Sequence, residues 1–155
     1  MKDTADIAAQ IAALPVHWDR SGNLRVLMVT SRDTGRWVMP KGWLMNGKKP
    51  WQAAKIEALE EAGAVGFISV RPIGDYHYMK RLGRGKKLRC RETVYPMMVD
   101  KLKSRWKERK ERKRHWFSLN KAAKLVNEDD LSDLLKELAR NPERLTIMEE
   151  MRDAS

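Results

Sequence analysis

The sequence predicts an α+β fold in which helices pack against a mixed β-sheet, and three features of the chain indicate it. Residues 24–30, LRVLMVT, form a continuous apolar and β-branched run, which is typical of a buried strand. Pro50 and Gly63 lie where a first-turn proline and a terminating glycine are favoured, and they bracket a helix over residues 50–62. Residues 130–140, DLSDLLKELAR, have a helical pattern. This mixed order of strands and helices is typical of an α/β/α sandwich.

The other elements follow in order along what we expect to be one domain spanning residues 1–155. Residues 1–15 are predicted to be a leader or a short helix, and residues 41–49, which contain two glycines, a loop. A second helix is expected over residues 120–126. Helix caps are predicted at Asn120 and at either Asp130 or Ser132. Further strands are predicted at residues 37–39, 64–70, 73–79, 88–100 and 115–119.

The chain is strongly basic, with 32 Lys and Arg against 21 Asp and Glu and a formal net charge of +11. Such a charge attracts polyanions, which include nucleic acids, membrane surfaces and highly phosphorylated small molecules. Charge alone does not choose among these three classes of partner.

Other features of the composition limit the location and the assembly. The single Cys90 excludes an internal disulfide and fits a reducing, cytoplasmic environment. No apolar run approaches the length of about 18 residues that a membrane span needs. Asp3 and Asp6 lie where a signal peptide would carry positive charge only. We therefore expect a cytoplasmic monomer or homodimer without a membrane partner.

Three glutamates gather within this basic chain, in the segment IEALEEAGA. At about 100° per residue, Glu57, Glu60 and Glu61 share one face of the predicted helix. No Lys or Arg lies three or four residues from any of them, and like charges at that spacing cost about 0.2–0.5 kcal/mol per pair. The negative end of the helix dipole is also nearby. Two compensators remain open: a divalent cation held by the carboxylates, or basic side chains from elsewhere in the fold.

The segment that contains these glutamates, GWLMNGKKPWQAAKIEALEEAGA, resembles the Nudix box over residues 42–64. Gly42, Glu57, Glu60 and Glu61 all fall in register with that family pattern. The resemblance implies an α/β/α sandwich around a mixed sheet and a hydrolase of diphosphate linkages. It further implies that Mg²⁺ or Mn²⁺ is held by the Gly42 carbonyl and the three carboxylates. Glu60 is implied either as a third carboxylate ligand or as the base that accepts the proton of the attacking water.

Two box positions depart from the family pattern: Lys48 and Ile56 replace a glutamate and an arginine that pair with each other in the family. Outside the box, RCRETVYPMMV and RKRHWFSLNKAAKLV resemble the diphosphoinositol polyphosphate phosphohydrolase branch. The PKG sequence that leads into the box is similar to that of dinucleoside tetraphosphate hydrolases.

Four basic residues are predicted to bind the substrate because their segments should flank the box helix and because basic side chains match phosphate oxygens. They are Arg32, Lys41, Arg89 and Arg91. The expected substrates are phosphorylated small molecules: diphosphoinositol polyphosphate, dinucleoside polyphosphate or polyphosphate. Removal of pyrophosphate from RNA 5′ ends, with the basic run at residues 103–114 as an RNA track, is an alternative, and so is a non-catalytic nucleotide- or nucleic-acid-binding module. Trp43 could either stack on a base or pack in the core.

Overall fold

The computed structural model of this protein describes residues 7–146 together with residues 148, 150 and 153. Within these residues, a mixed sheet of eight strands carries helices against both faces. The strands are β1 (Ile7–Trp18), β2 (Leu24–Thr30), β3 (Trp37–Val38), β4 (Lys41–Trp43), β5 (Ala64–Ile68), β6 (Gly74–Gly83), β7 (Lys86–Leu102) and β8 (Arg114–Ser118). The helices are α1 (Pro50–Ala62), α2 (Leu119–Leu125) and α3 (Asp129–Arg140), followed by a short 3₁₀ helix at Pro142–Leu145. The predicted α/β/α sandwich is confirmed.

Strand β1 lies at the centre of the sheet. It pairs in parallel with β7 and antiparallel with β4 near its start and β2 near its end. Ala12 and Leu14 point into the core under α2 and α3, whereas Ile11 and Ala13 point into the core under α1. The strand is therefore buried on both faces over residues 10–16.

The prediction of a leader or short helix at residues 1–15 is wrong for residues 7–15, which belong to β1. Residues 1–6 lie outside the described residues. A strand covered on both faces has no alternation of polar and apolar side chains, so its apolar run carries no strand periodicity. The central position of β1 becomes visible only when its neighbours β7, β2 and β4 are in place.

Helix α1 covers residues 50–62, as the sequence predicts. At its start, the Gln52 side-chain oxygen accepts a hydrogen bond from the Lys49 N–H at 2.8 Å. At its end, Gly63 adopts a left-handed conformation with φ of 65° and donates to the Leu59 carbonyl at 2.9 Å. Its buried face consists mostly of alanines, and these small side chains let the helix approach the sheet closely.

The structure corrects three other local predictions. Lys41–Trp43, expected in a loop, forms β4 because it pairs with β1. The cap of α2 is Ser118, whose hydroxyl accepts from the Lys121 N–H at 3.1 Å, and the predicted Asn120 lies inside the helix. The cap of α3 is Glu128, which precedes the predicted Asp130 and Ser132. No helix in the described part of the chain is long and apolar enough to cross a membrane.

Gly66 lies at a bulge where β5 passes close to β7, and we expect Gly66→Ala to destabilise the fold by about 2–4 kcal/mol. A Cβ atom at this position would collide with the Met98 backbone carbonyl, which the strand pairing holds in place. Urea unfolding measures the loss. Gly74→Ala is the matched control, because the nearest atom there belongs to the flexible Leu134 side chain at 3.2 Å. Equal losses in the two variants would contradict the close approach.

Candidate functional site

A cavity of about 530 Å³ opens beside the carboxylate face of α1. It is bordered by β4, by the outer part of β6 and by the loop after β2. It is also bordered by residues 103–114, which comprise the connection from β7 to β8 and the first residue of β8 and are called the 103–114 loop below. Its wall carries both carboxylates and cations. The charged lining residues are Arg32, Asp33, Lys41, Glu57, Glu60, Glu61, Lys80, Arg81, Glu108 and Arg112.

Glu57 lies at the junction of α1 and β4. Its carboxylate fills the space beside the Gly42 backbone, where even a Cβ atom would collide with it. Burial, followed by the negative charge of Glu61 and its hydrogen bond, raises the pKa of Glu57 to about 8. No basic side chain among the described residues forms an ion pair with it. The charge of ionised Glu57 is therefore uncompensated by the protein itself.

Glu61 is almost fully buried, with 6% of its surface exposed. One carboxylate oxygen accepts from the Lys41 backbone N–H at 3.4 Å, and the other lies 3.5 Å from the Arg112 guanidinium. Burial raises the pKa of Glu61, and the charges of Arg112 and Lys41 oppose that rise. The third glutamate, Glu60, is more open to solvent and lies 3.6 Å from the Lys107 ammonium.

The tertiary fold thus supplies cations to two of the three box glutamates. This is one of the two compensators left open by the sequence, and it reaches Glu60 and Glu61 but not Glu57. The donors also suit a divalent cation in their chemistry, since carboxylate and backbone carbonyl oxygens are hard ligands. In the described part of the chain, no three His, Cys, Asp or Glu side chains are already arranged as a metal cluster.

The 103–114 loop holds the end of α1 and was missed as part of the site. Trp106 donates through its indole N–H to the Glu61 carbonyl at 3.0 Å, and Arg114 donates to the Ala62 carbonyl at 2.9 Å. The Arg114 guanidinium also lies 3.8 Å from the centroid of the Trp106 ring. These donors satisfy carbonyls at a helix end that has no basic residue of its own.

Arg112 joins this loop to the carboxylates. It is nearly buried, and it bonds to Glu108 at 2.7 Å and to the Thr30 carbonyl at 3.0 Å while it faces Glu61. Glu108 is a further cavity carboxylate that sequence reasoning did not identify. Neither residue belongs to the box, and the basic run around them is the only sequence signal that could have indicated them.

The four predicted substrate-binding residues separate into two groups. Arg32 and Lys41 line the cavity, whereas Arg89 and Arg91 do not. The latter two are exposed on β7, and Arg91 pairs with Asp75 at 2.6 Å. Two further cavity cations, Lys80 and Arg81, come from the outer part of β6.

Lys41 is a partly buried cation of the cavity lining. Its ammonium lies 4.1 Å from the centroid of the Tyr78 ring. Burial lowers the pKa of Lys41, and the charges of Glu61 and then Glu92 act against that shift. The Lys41 ammonium is therefore held in place by nearby negative charge and by an aromatic ring.

Glu92 is a buried acid that the sequence analysis did not single out. It is fully buried on β7, and neither carboxylate oxygen has a hydrogen-bond partner within the described residues. Burial raises the pKa of Glu92 to about 8, although the charge of Lys41 lowers it in part. An acid at a position where strand alternation calls for an apolar side chain is a cost to stability near neutral pH.

Comparison with known proteins identifies the family of this chain. A family model for the NUDIX domain matches residues 10–138. The chain belongs to the NUDIX family. That match begins within β1 and ends within α3, so it includes every element that builds the cavity.

Individual relatives are similar at modest identity. Nudix hydrolase 13, mitochondrial, of Arabidopsis thaliana is 28% identical over 131 residues, which are 79% of this chain and 63% of that protein. Human diphosphoinositol polyphosphate phosphohydrolase 3-beta is 30% identical over 103 residues, which are 65% of this chain and 58% of that protein. The chain therefore spans somewhat less than two thirds of the length of these relatives.

Solved structures support the fold. A binary complex of the C. elegans Ap4A hydrolase has a TM-score of 0.66 at 18% identity and covers 90% of this chain and 100% of that one. A NUDIX hydrolase from Nitrosomonas europaea has a TM-score of 0.64 at 17% identity, covering 87% and 90% of the two chains.

The burial of Glu92 predicts a pH-dependent effect of Glu92→Gln. The folded protein retains a proton on Glu92 up to about pH 8, whereas the unfolded chain releases it near 4.5, so the wild-type protein loses stability between these values. The variant carries no such charge. The free energy of unfolding of Glu92→Gln, relative to that of the wild type, should therefore increase by about 1–4 kcal/mol between pH 5 and pH 8.5. The difference between the two melting temperatures should increase accordingly.

Thermal unfolding at several pH values in the absence of added metal checks this expectation. Glu143→Gln, a substitution in the short 3₁₀ helix, is the control and should follow the wild type at every pH. A constant difference between Glu92→Gln and the wild type across the range would show that Glu92 is not protonated in the folded state.

Proposed function

We propose that this protein is a metal-dependent hydrolase that cleaves a diphosphate linkage in a highly phosphorylated small molecule. One observation carries the proposal: the box carboxylates and five cations meet in one cavity. The carboxylates are Glu57, Glu60 and Glu61, and the cations are Arg32, Lys41, Lys80, Arg81 and Arg112. Carboxylates of this kind suit a divalent ion, and cations around them suit phosphate oxygens.

The chemistry assigned to each residue follows from its position. Glu57, Glu61 and the Gly42 carbonyl would hold Mg²⁺ or Mn²⁺, with Glu60 as a further ligand or as the base. A divalent ion supplies charge stabilisation at the phosphoryl oxygens and lowers the pKa of bound water. Glu60 lies at the more open side of the carboxylate face, where a water molecule can reach it, which favours its role as the base.

The reaction is an attack of water on phosphorus. The water oxygen forms a bond to phosphorus, the anhydride P–O bond breaks, and Glu60 accepts the proton of the water. Lys41 and Arg32 bind the phosphate oxygens and stabilise the negative charge on the leaving phosphate. Arg89 and Arg91 lie outside the cavity and would act only on a part of the substrate that extends beyond it.

The small-molecule proposal is preferred to RNA because of what the 103–114 loop does. Its cations Lys107, Arg112 and Arg114 are engaged with Glu60, Glu61 and the end of α1. The cations of this run that lie nearest the site are therefore already paired within the protein, which leaves them less available to an RNA backbone. We propose a cytoplasmic location, which is consistent with the free Cys90; several relatives are named as mitochondrial.

Removal of one carboxylate charge tests the metal assignment. Glu57→Gln and Glu61→Gln should each lower kcat on a diphosphate substrate by at least about 10²-fold at saturating Mg²⁺, because each removes a charged ligand. Their melting temperatures should not fall, since the repulsion between neighbouring carboxylates decreases. Glu137→Gln on α3 is the matched control. Activity near the wild-type level in either site variant would remove that residue from the ligand set.

Neutralisation of cavity cations tests the substrate assignment. Arg32→Ala and Lys41→Ala should raise KM for a dinucleoside polyphosphate about tenfold or more, because each loses a charge-assisted contact with phosphate. Arg105→Ala and Lys110→Ala, in the 103–114 loop but outside the cavity lining, should leave KM within about twofold.

The same four variants distinguish the RNA alternative. A short 5′-triphosphorylated RNA should be cleaved poorly by the wild-type protein. If it is instead cleaved efficiently, and if the loop variants then weaken binding with a reduced salt dependence, RNA becomes the preferred substrate.

A further inference from the structure

The hairpin that joins β6 to β7 forms a basic arm over residues 79–89, which is called the 79–89 arm below. Six of these residues are cations, and no acidic residue lies between Asp75 and Glu92. The six are Lys80, Arg81, Arg84, Lys86, Lys87 and Arg89. Every residue from 81 to 87 is exposed. The arm therefore presents a dense positive charge to solvent.

The cations of the arm are not engaged by the rest of the protein. None of the six forms an ion pair or a side-chain hydrogen bond with another described residue. By contrast, Arg91 further along β7 is paired with Asp75 at 2.6 Å, and Arg112 of the 103–114 loop is paired with Glu108 at 2.7 Å. Because like charges gathered in this way repel one another, an anionic partner would stabilise the arm.

The arm is a two-stranded ribbon that carries cations on both faces. Arg81 lies opposite Lys87, and Met79 lies opposite Arg89, so these four side chains share one face of the ribbon. Lys80 lies on the other face, because successive side chains of a strand alternate. The positive charge is therefore not confined to one side of the arm.

The tip of the arm is a narrow turn. Gly83, Arg84 and Gly85 all have left-handed backbone conformations, with φ of 85°, 52° and 72°. Apart from chain neighbours, no described atom lies within 4 Å of the position that a Cβ would take at Gly83 or Gly85. Arg84 thus lies at the end of a ribbon whose tip is not packed against the body of the protein.

The chemistry of the arm distinguishes among polyanions. Single-stranded nucleic acids are bound on aromatic side chains, and residues 79–89 include none. A membrane surface requires a continuous apolar face, whereas Met79 shares its face with three cations. The major groove of A-form RNA is too narrow and deep for side chains to read. The major groove of B-form DNA is about 12 Å wide and admits a two-stranded β-ribbon.

We propose that the 79–89 arm binds double-stranded DNA by entering its major groove, where cations on both faces contact the phosphates of the flanking strands. Such contacts are largely independent of DNA sequence. The DNA is a binding partner and not the substrate, because Arg84, Lys86 and Lys87 lie outside the lining of the carboxylate cavity. Lys80 and Arg81 belong both to the arm and to that lining, so a bound duplex lies next to the cavity.

The test measures the fluorescence anisotropy of a labelled DNA duplex of about two helical turns over a range of salt concentrations. The arm variant combines Arg84→Asn, Lys86→Gln and Lys87→Gln, since asparagine tolerates the left-handed conformation at the tip. It should raise the Kd at least about tenfold at about 100 mM salt, and the slope of log Kd against log salt should fall by about two to three units.

A control variant removes the same number of charges from the exposed surfaces of α2 and α3. It combines Lys121→Gln, Lys124→Gln and Lys136→Gln, and its Kd should stay within about twofold of the wild-type value. In the wild type, duplex RNA and single-stranded DNA of the same sequence should bind more weakly than the DNA duplex. Hydrolysis of a dinucleoside polyphosphate should be unchanged in both variants.

Three results would overturn the proposal. The first is the absence of duplex binding by the wild type, and the second is an equal loss of binding in the two variants, which would reflect net charge alone. The third is tighter arm-dependent binding of RNA, of single-stranded DNA or of vesicles that contain phosphatidylserine. Arm-dependent binding of duplex DNA by a wild-type protein that cleaves no diphosphate would instead support the arm and count against the proposed function alone.

Discussion

The site depends on one electrostatic constraint: three carboxylates must be accommodated at the carboxyl end of α1, where Glu61 is buried and the other two are partly buried. Burial and mutual repulsion both disfavour their ionised forms, and the helix dipole adds to the penalty. The surrounding structure offsets this through Arg112, Lys107 and the Lys41 backbone, which come from two distant segments. The position of the 103–114 loop is a consequence of that requirement.

The charge of Glu57 is not compensated by any cation among the described residues, and this determines how the site responds to an added cation. Burial first, and then the negative charge of Glu61, raises the pKa of Glu57 to about 8, and no cation among the described residues pairs with it. A site of this kind gains stability from any added positive charge, so cation binding and folding should support each other. The same carboxylates would lose that property if a basic side chain were paired with Glu57. Surface pairs such as Arg91–Asp75, by contrast, contribute little to stability or to charge balance at the site.

The basic residues of the chain fall into groups that differ in their surroundings. Arg112 and Arg114 are structural, because they bond to backbone carbonyls and to buried acids. Lys41, Lys80 and Arg81 face the cavity, where they can contact an anionic ligand. Arg32 also lines the cavity, but its guanidinium is paired with Glu111 at 2.9 Å. The outer cations on β7, including Arg89, remain exposed to solvent. Net charge is therefore a poor guide to which residue binds an anion, since the fold decides which cations are already occupied.

Local signals in the sequence determined helix α1 and the face that its three glutamates share. Pro50 and Gly63 fix the ends of α1, and the spacing of Glu57, Glu60 and Glu61 fixes a shared face. These features involve residues within about one to four turns of one another, so they are encoded by backbone preferences and helix geometry. The family pattern in the same segment indicated Gly42 as a residue of interest, and its backbone lies against the Glu57 carboxylate.

Only the tertiary structure decided which distant residues complete the site. Gln10 comes from a segment predicted as a leader or helix, and it reaches the cavity because β1 is inserted between β7 and β4. Glu108 and Arg112 belong to the basic run and line the cavity, whereas Glu92 is a fully buried residue of β7. Each is separated from the box by tens of residues, and its position depends on strand pairing and on the burial of charge. Periodicity and composition describe neighbours along the chain, so they carry no record of such contacts.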